Sequence, residues 1–406
     1  MLLDTLVDTE ITKFIETRDI KHIKNIERYT DIIKEQTITE RFLRSLGFTL
    51  DETAFFLSQL KVDDIVEEKI HLTCIAYEED STITLTTSIC PVCNQTIRED
   101  DHELEPIYEI QIKAEDYATF KQGISDKLLN IFLNREYSNN YKTMVDNIPK
   151  IVPLVGAGFS VPLGAPSWEK LFLKFKDSIS EDFHSTYEVV VKSGDYFKGI
   201  PLLYTLSKSV KTDEQLKVKA AQIIEGDIDY NISSEAHNYS DLLKVKFPYY
   251  LTTNYDNALN VFNSKFSVPL ELEDIDDVQN FVFVNKFRVI HLHGILDKPN
   301  SLVLTKEDYD KKYTNDGFSK KVLALMVHKS LLFLGFSFSD VYFENLYNYV
   351  QKNVGGTHFI ITTNAARADE LIKFNIIPIV LKINNDTEII LALRYLLKNL
   401  EMKNHV

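Results

Sequence analysis

Side chains able to handle protons, hydroxyls and anions recur along this chain directly after short apolar runs. An asparagine stands in Leu251-Thr-Thr-Asn-Tyr-Asp256 and two histidines in Ile290-His-Leu-His-Gly294. Glycines open Val155-Gly-Ala-Gly-Phe-Ser160 and, with serines, Phe333-Leu-Gly-Phe-Ser-Phe-Ser-Asp340. The Asn254 carboxamide donates and accepts hydrogen bonds without titrating, which suits holding a hydroxyl and a water. His293, the last residue before a glycine turn, suits acid–base work near neutral pH. The turn Gly156-Ala157-Gly158-Phe159-Ser160 is small enough for its backbone to approach a pyrophosphate, with free N–H groups at a helix start to attract the anion. Ser337 could hydrogen-bond a ribose or a phosphate.

Each segment also has a plainer reading. Gly156–Ser160 fits a tight strand-to-helix turn, because Val161 stands where a dinucleotide fingerprint has its third glycine. Asp256 and Asp340 fit helix caps, before 257–262 and 341–350 respectively. His291 and His293 lie two residues apart on one strand face and could bind a metal, but the only nearby third ligand is Asp297. Cys90-Pro-Val-Cys93 is half of a zinc knuckle, with His102 and either Cys74 or His71 near it in sequence; a metal-free turn is the reading preferred for it.

The elements that must position these residues fall into two regions. Up to residue 148, apolar positions at helical spacing over Ile11–Leu46 give way to alternation between Ile70 and Ile89 and again over Ile107–Ile112. Helical spacing returns over Asp116–Leu133, and a polar linker is expected at Tyr137–Asn147. This pattern predicts a small α+β accessory domain over 1–148. From Ile151 onward, near-continuous apolar runs appear at Ile151–Val155, Tyr249–Leu251, Val289–Leu292, Leu331–Leu334, His358–Ile361 and Ile376–Leu381. Runs of this kind, separated by helix-length segments, indicate strands of a parallel sheet buried on both faces. Residues 149–406 are therefore expected to form an α/β, Rossmann-like, doubly wound parallel sheet, with Trp168–Leu243 as a helical subdomain. Small polar residues at the carboxyl ends of such strands mark the ligand edge.

Composition removes several function classes. A net charge of −15 over 406 residues, without a basic patch, argues against direct nucleic-acid binding. No apolar stretch reaches the length of a membrane span. The amino terminus lacks the pattern of a secretory signal, and three cysteines suit a reducing compartment, so a cytoplasmic location is expected.

In combination, these segments resemble the sirtuin-like domain family, specifically its bacterial NAD-hydrolysing branch found in antiphage defence. The family's Gly-Ala-Gly-x-Ser with a following Gly-x-Pro is similar to Gly156, Ala157, Gly158, Ser160, Gly164 and Pro166. Its Gln-Asn-Ile-Asp element resembles Thr253-Asn254-Tyr255-Asp256, its His-Gly resembles His293-Gly294, and its Gly-Thr-Ser resembles Gly335-Phe336-Ser337. Val303-Leu-Thr305, Asp308-Tyr309 and a histidine like His237, in a helix before the asparagine strand, match features of the bacterial branch. Two departures stand out: Ser167-Trp168-Glu169 replaces the Asp-Phe-Arg of the deacylases, and the four-cysteine module between His-Gly and Gly-Thr-Ser is absent.

The resemblance implies an NAD glycohydrolase that releases nicotinamide and ADP-ribose, with NAD as substrate and no metal needed for catalysis. Asn254 would position water and ribose, and His293 would act as base. Gly156, Ala157, Gly158, Phe159 and Ser160 would hold the pyrophosphate. Thr253 and Asp256 would shape the asparagine loop, and Gly335 with Ser337 would take the adenosine-side ribose. Toxic NAD loss would call for gating by homo-oligomerisation or by a sensor or ATPase subunit docking on residues 1–148. The competing readings are a non-catalytic NAD or ADP-ribose sensor, a sirtuin-like ADP-ribosyl transferase or deacylase, and an ordinary dehydrogenase.

Overall fold

The computed structural model describes residues 3–263, 268–284, 288–336, 344, 347–348, 351–352 and 355–404. The chain divides into two compact units, Met1–Ile131 and Phe132–Val406.

In the first unit, helices Asp4–Thr17, Lys21–Ile32 and Leu50–Val62 accompany a four-stranded antiparallel sheet. Its strands are β1 (Thr37–Ile38), β2 (Val66–Cys74), β3 (Glu79–Thr84) and β4 (His102–Ile110), in the order β1-β4-β2-β3. The alternation visible in His71-Leu-Thr-Cys does what a period of two requires: Leu72 and Cys74 are buried, while His71 and Thr73 stay half-buried on the other face. β4 runs antiparallel to β2, with Cys74 opposite His102.

The second unit begins well before Ile151. The expected linker Tyr137–Asn147 is instead the helix Ser138–Asp146, which buries Tyr141 and Met144. Asn140 donates to the Pro378 carbonyl at 2.8 Å, and the Asn134 N–H donates to Val380 at 2.9 Å, so this segment is fixed along the last strand of the sheet. The polar residues that read as a linker are the solvent face of an amphipathic helix.

The seven-stranded sheet contains β5 (Ile151–Val155), β6 (Tyr249–Thr252), β7 (Leu270–Glu271), β8 (Arg288–His291), β9 (Ser330–Leu334), β10 (His358–Thr362) and β11 (Ile376–Val380). The order is β11-β10-β9-β5-β6-β8-β7, and every pairing is parallel. β5, β6 and β9 are buried along their whole length, as the unbroken apolar runs require. From β5 the chain adds β6, passes to the edge strand β7, inserts β8 between β6 and β7, and then crosses to the opposite side of β5 with β9. That reversal makes the carboxyl edge around β5 a topological switch point, where open α/β sheets bind ligands. The two-residue edge strand β7 had no sequence signal.

Between β5 and β6, helices Trp168–Lys174, His184–Lys192, Tyr196–Leu206 and Asp213–Asp227 gather around their own core of Phe172, Tyr187, Leu203, Leu216 and Ile224. Leu296, Leu302 and Leu304 from the loop after β8 join that core, so the helical subdomain is seated on the sheet's ligand edge.

Candidate active site

Four loops leave the sheet at one edge: Gly156 follows β5, Thr253 follows β6, Leu292 follows β8 and Gly335 follows β9. Between them and the helical subdomain lies a pocket that opens to solvent. Ala157, Ser160, Thr253, Asn254, Asp256 and His293 line it, together with Ala165, Pro166, Trp168, Leu171, Ile224, Tyr255, Tyr309 and Phe336.

The glycine turn departs from the anion cradle that its sequence predicts. Gly158 N–H donates to the Gly335 carbonyl at 3.0 Å, Phe159 N–H to Gly156 and Ser160 N–H to Ala157, so these groups are engaged inside the protein. A Cβ on Gly156 would sit 2.8 Å from the Phe336 ring and 2.9 Å from the Gly335 carbonyl. Gly335 has a φ of +72°, and a side chain there would collide with the Phe159 backbone. These glycines let two neighbouring strand ends touch, the close-approach role of glycine. Phe159 is buried edge-on against Tyr239, with centroids 4.9 Å apart, and does not line the pocket. Ser337 and Asp340 lie outside the described residues.

Ser160 is the hub of a buried network. Its hydroxyl donates to Asp256 Oδ2 at 2.7 Å, lies 2.5 Å from Tyr239 OH, and accepts from Asn254 Nδ2 at 2.8 Å. Asn254 Nδ2 also donates to the Gly156 carbonyl at 3.1 Å. With both partners of the NH₂ group being acceptors, the amide has one allowed orientation. Asn254 Oδ1, buried in a residue that lines the pocket, has no hydrogen-bond partner among the described residues. A buried amide oxygen left so costs roughly 1–3 kcal/mol, which a bound water or a ligand donor would offset.

Burial raises the Asp256 carboxyl above its ordinary range, against the bonds from Ser160 and its own loop that lower it. Its Oδ1 accepts the Ala258 N–H at 3.0 Å, at the first residue of the helix Ala258–Val261, whose N-cap position is Asn257. His291 Nδ1 donates to the Asn254 carbonyl at 3.0 Å from beneath the loop. His291 therefore supports the asparagine while His293, past the end of β8, reaches the pocket.

His293 is pushed down to about 3 by burial, with a further contribution from the positive charge of Lys312. The imidazole is therefore neutral at physiological pH. Its Nε2 pairs with Tyr313 OH, and Tyr309 packs edge-on at 5.6 Å. If Nε2–H donates to the phenol oxygen, Nδ1 is free to accept a proton. Both tyrosines come from helix Lys306–Tyr313, which opens with a capping box between Thr305 and Asp308. Asp308 also pairs with Lys217 of the helical subdomain, and Val303 N–H donates to the His293 carbonyl at 3.0 Å. The Val303-Leu-Thr305 segment thus fixes the base and its aromatic collar together.

His237 was expected in a helix; it sits instead in extended backbone after the 3₁₀ turn Ser234–Ala236. It accepts the Tyr239 N–H at 3.2 Å and packs 4.3 Å from the Phe262 ring, and it is not among the residues lining the pocket. Sequence reasoning missed Leu171, Ile224 and Tyr313, and it quoted Trp168, Tyr255 and Tyr309 within motifs without giving them a place in the pocket. The aromatic spacing Tyr309…Tyr313, one helical turn apart and following the capping box, was the available signal.

Cys90 and Cys93, the metal candidates, lie in the first unit. Their sulfurs share a cluster with Cys74 and His102 in which all ligand atoms fall within 4.8 Å of one another. His71 is on the opposite face of β2, 3.6 Å from Asp80.

Residues 248–379, from β6 to β11 and including Asn254 and His293, match the SIR2-like domain family. The chain is 25% identical to the NAD(+) hydrolase ThsA of Bacillus cereus (strain MSX-D12) over 226 residues, 53% of this chain and 44% of that protein. It is 24% identical to the NAD(+) hydrolase ThsA of Cytobacillus dafuensis over 207 residues (49% and 38%), and 23% identical to that of Acinetobacter baumannii (strain 532279) over 250 residues (57% and 48%). The chain spans less than half the length of the curated relatives it matches. Among the described residues, no helix is long and apolar enough to cross a membrane.

Proposed function

We propose that the second unit, whose residues 248–379 match the SIR2-like domain family, binds NAD in this pocket and hydrolyses its nicotinamide–ribose bond. The observation that carries the reading is Asn254 Oδ1, held in one orientation and without a partner among the described residues, in a pocket that a neutral His293 also lines. Nicotinamide departs with the bonding electrons, leaving an oxocarbenium-like ribose, and a water adds to that carbon and loses a proton. Asn254 Oδ1 accepts a hydrogen bond from the ribose hydroxyl or from the water. His293 takes the proton as general base, a role worth ~10²–10⁴-fold in rate. Trp168 and Tyr309 offer aromatic faces for a planar ring of the dinucleotide. The names of the relatives, NAD(+) hydrolases, support the same chemistry.

On this reading the protein is an NAD-depleting effector of antiphage defence, cytoplasmic, and gated by self-association or by a sensor or ATPase subunit acting through the first unit. Metal plays no part in the chemical step. The test is to incubate the full chain with NAD, alone and with the products of neighbouring genes, and to measure free nicotinamide. Turnover abolished in Asn254→Ala and His293→Ala supports the site; turnover that survives in both removes it. Saturable NAD binding without nicotinamide release under every condition would favour a non-catalytic sensor. Gating is tested by following particle mass and NAD level together in phage-challenged cells: depletion with no change in assembly would remove that part.

A further inference from the structure

We propose that Cys74, Cys90, Cys93 and His102 bind a structural zinc ion in the first unit, a site separate from the NAD chemistry. The four ligand atoms come from three places in the chain: the end of β2, the turn after β3 and the start of β4. They nevertheless converge so that all lie within 4.8 Å of one another. Around one tetrahedral zinc, with Zn–S of about 2.3 Å and Zn–N of about 2.0–2.1 Å, neighbouring ligand atoms stand ~3.5–3.8 Å apart. Cys93 Sγ and His102 Nε2 are 3.4 Å apart.

The surroundings are those of a built metal site. His102 Nδ1 lies 3.2 Å from the Arg98 carbonyl. The Arg98 N–H lies farther from the same nitrogen, at 3.4 Å; with Nδ1–H donating to the nearer carbonyl, the Nε2 lone pair faces the sulfurs, the outer-shell arrangement common to metal-bound histidines. The Cys90–Cys93 turn is a knuckle: Asn94 takes a left-handed φ of +58°, its N–H donates to the Cys90 carbonyl at 2.9 Å, and Cys90 N–H donates to Gln95 at 2.8 Å. An isolated bridge between Ile89 and Thr96 closes its base. Antiparallel register places Cys74 directly opposite His102. Cys74, Cys90 and His102 are buried, within a shell of Leu72, Ile83, Ile70 and Val92.

Three thiolates and one imidazole in tetrahedral reach select zinc among divalent ions. Four protein ligands leave no open position, which marks a structural rather than a catalytic ion. The cluster of buried apolar groups at this end of the sheet is small: Leu72, Ile83 and two of the cysteines themselves. An ion would fasten the 85–101 loop where that core is thin. This replaces the metal-free turn expected from Cys90-Pro-Val-Cys93 alone.

The chain has three cysteines, all in this cluster, so thiol chemistry reads the site without background. The full chain, expressed in zinc-supplemented medium, is analysed for metal, and its thiols are alkylated before and after chelation. The expected result is one zinc per chain and thiols that react only after the chelator is added. His102→Cys should keep the metal, and Cys90→Ser/Cys93→Ser should lose it. Wild-type protein without zinc and with freely reactive thiols, a disulfide within the cluster, bound iron in place of zinc, or undiminished zinc in the double variant would each overturn the proposal. The wild-type measurements stand even if the double variant fails to fold.

Discussion

The two ligand-bearing corners of this molecule are built on opposite plans. In the first unit, the cysteine–histidine cluster draws on 29 consecutive positions, 74–102, and depends on a knuckle and the register of one strand pair. In the second unit, the pocket draws on loops after β5, β6, β8 and β9, spread from Ala157 to Phe336. Its geometry depends on the strand order of a parallel sheet and on a helical subdomain seated over it. The local site has its polar atoms directed at one another. The pocket keeps Asn254 Oδ1 without a partner among the described residues and His293 neutral. On the two proposals made above, one corner holds an ion permanently and the other binds and releases its ligand.

The sharpest way to break this contrast is His293→Ala. Nicotinamide release should fall ~10²–10⁴-fold, while the zinc content of the first unit should not change. Equal loss of both would mean that the units are not independent.

Gly335→Ala should unfold the second unit selectively. It forces a left-handed φ on a residue with a Cβ and drives that atom into the Phe159 backbone; the strain and overpacking together cost about 3 kcal/mol. Denaturation followed by Trp168, the single tryptophan, should shift to lower denaturant. An unchanged midpoint would remove the role assigned to this glycine contact.

Acid should distinguish the units next. Burial pushes His291 and His358 down to about 4 and His293 to about 3. A folded value below the unfolded value near 6.5 means that the unfolded chain binds more protons. This stability is therefore fully present above about pH 6.5 and lost as pH falls toward 4. At pH 5 each of these histidines costs about 2 kcal/mol. Over the same interval the activity should not show a histidine titration near 6.5, because His293 stays neutral. A rate that halves near pH 6.5 with the fold intact would contradict the buried state of His293.

The smallest expected effect is Tyr313→Phe. Removing one hydrogen bond to the imidazole, at about 0.5–1.5 kcal/mol, should lower kcat roughly two- to tenfold with little change in KM. A change confined to KM would mean that Tyr313 touches substrate instead of orienting the base.

Legibility in the sequence followed the same division. The strands of the second unit could be read because burial on both faces leaves unbroken apolar runs, as in Ile151–Val155 and Leu331–Leu334. The two-residue β7 could not, since a pair of residues carries no period. Asn254 and His293 stood out as polar residues just past apolar strands. The role of Ser160 did not, because its partners Tyr239 and Asp256 are 79 and 96 positions away. Trp168, Ile224 and Tyr309 carried no sequence signal for a pocket, because they line it only through tertiary docking. In the first unit the Cys90–Cys93 pair was visible, but choosing Cys74 over His71 required knowing which face of β2 meets β4.

Trp168 lines the pocket and is the chain's only tryptophan, so its fluorescence reports on the central claim without depending on whether the enzyme is switched on. Titrating NAD into the full chain should produce a saturable change in this signal, at least tenfold weaker in apparent affinity for Asn254→Ala. A flat titration for the wild type, or identical curves for the two proteins, would contradict an NAD site built around Asn254.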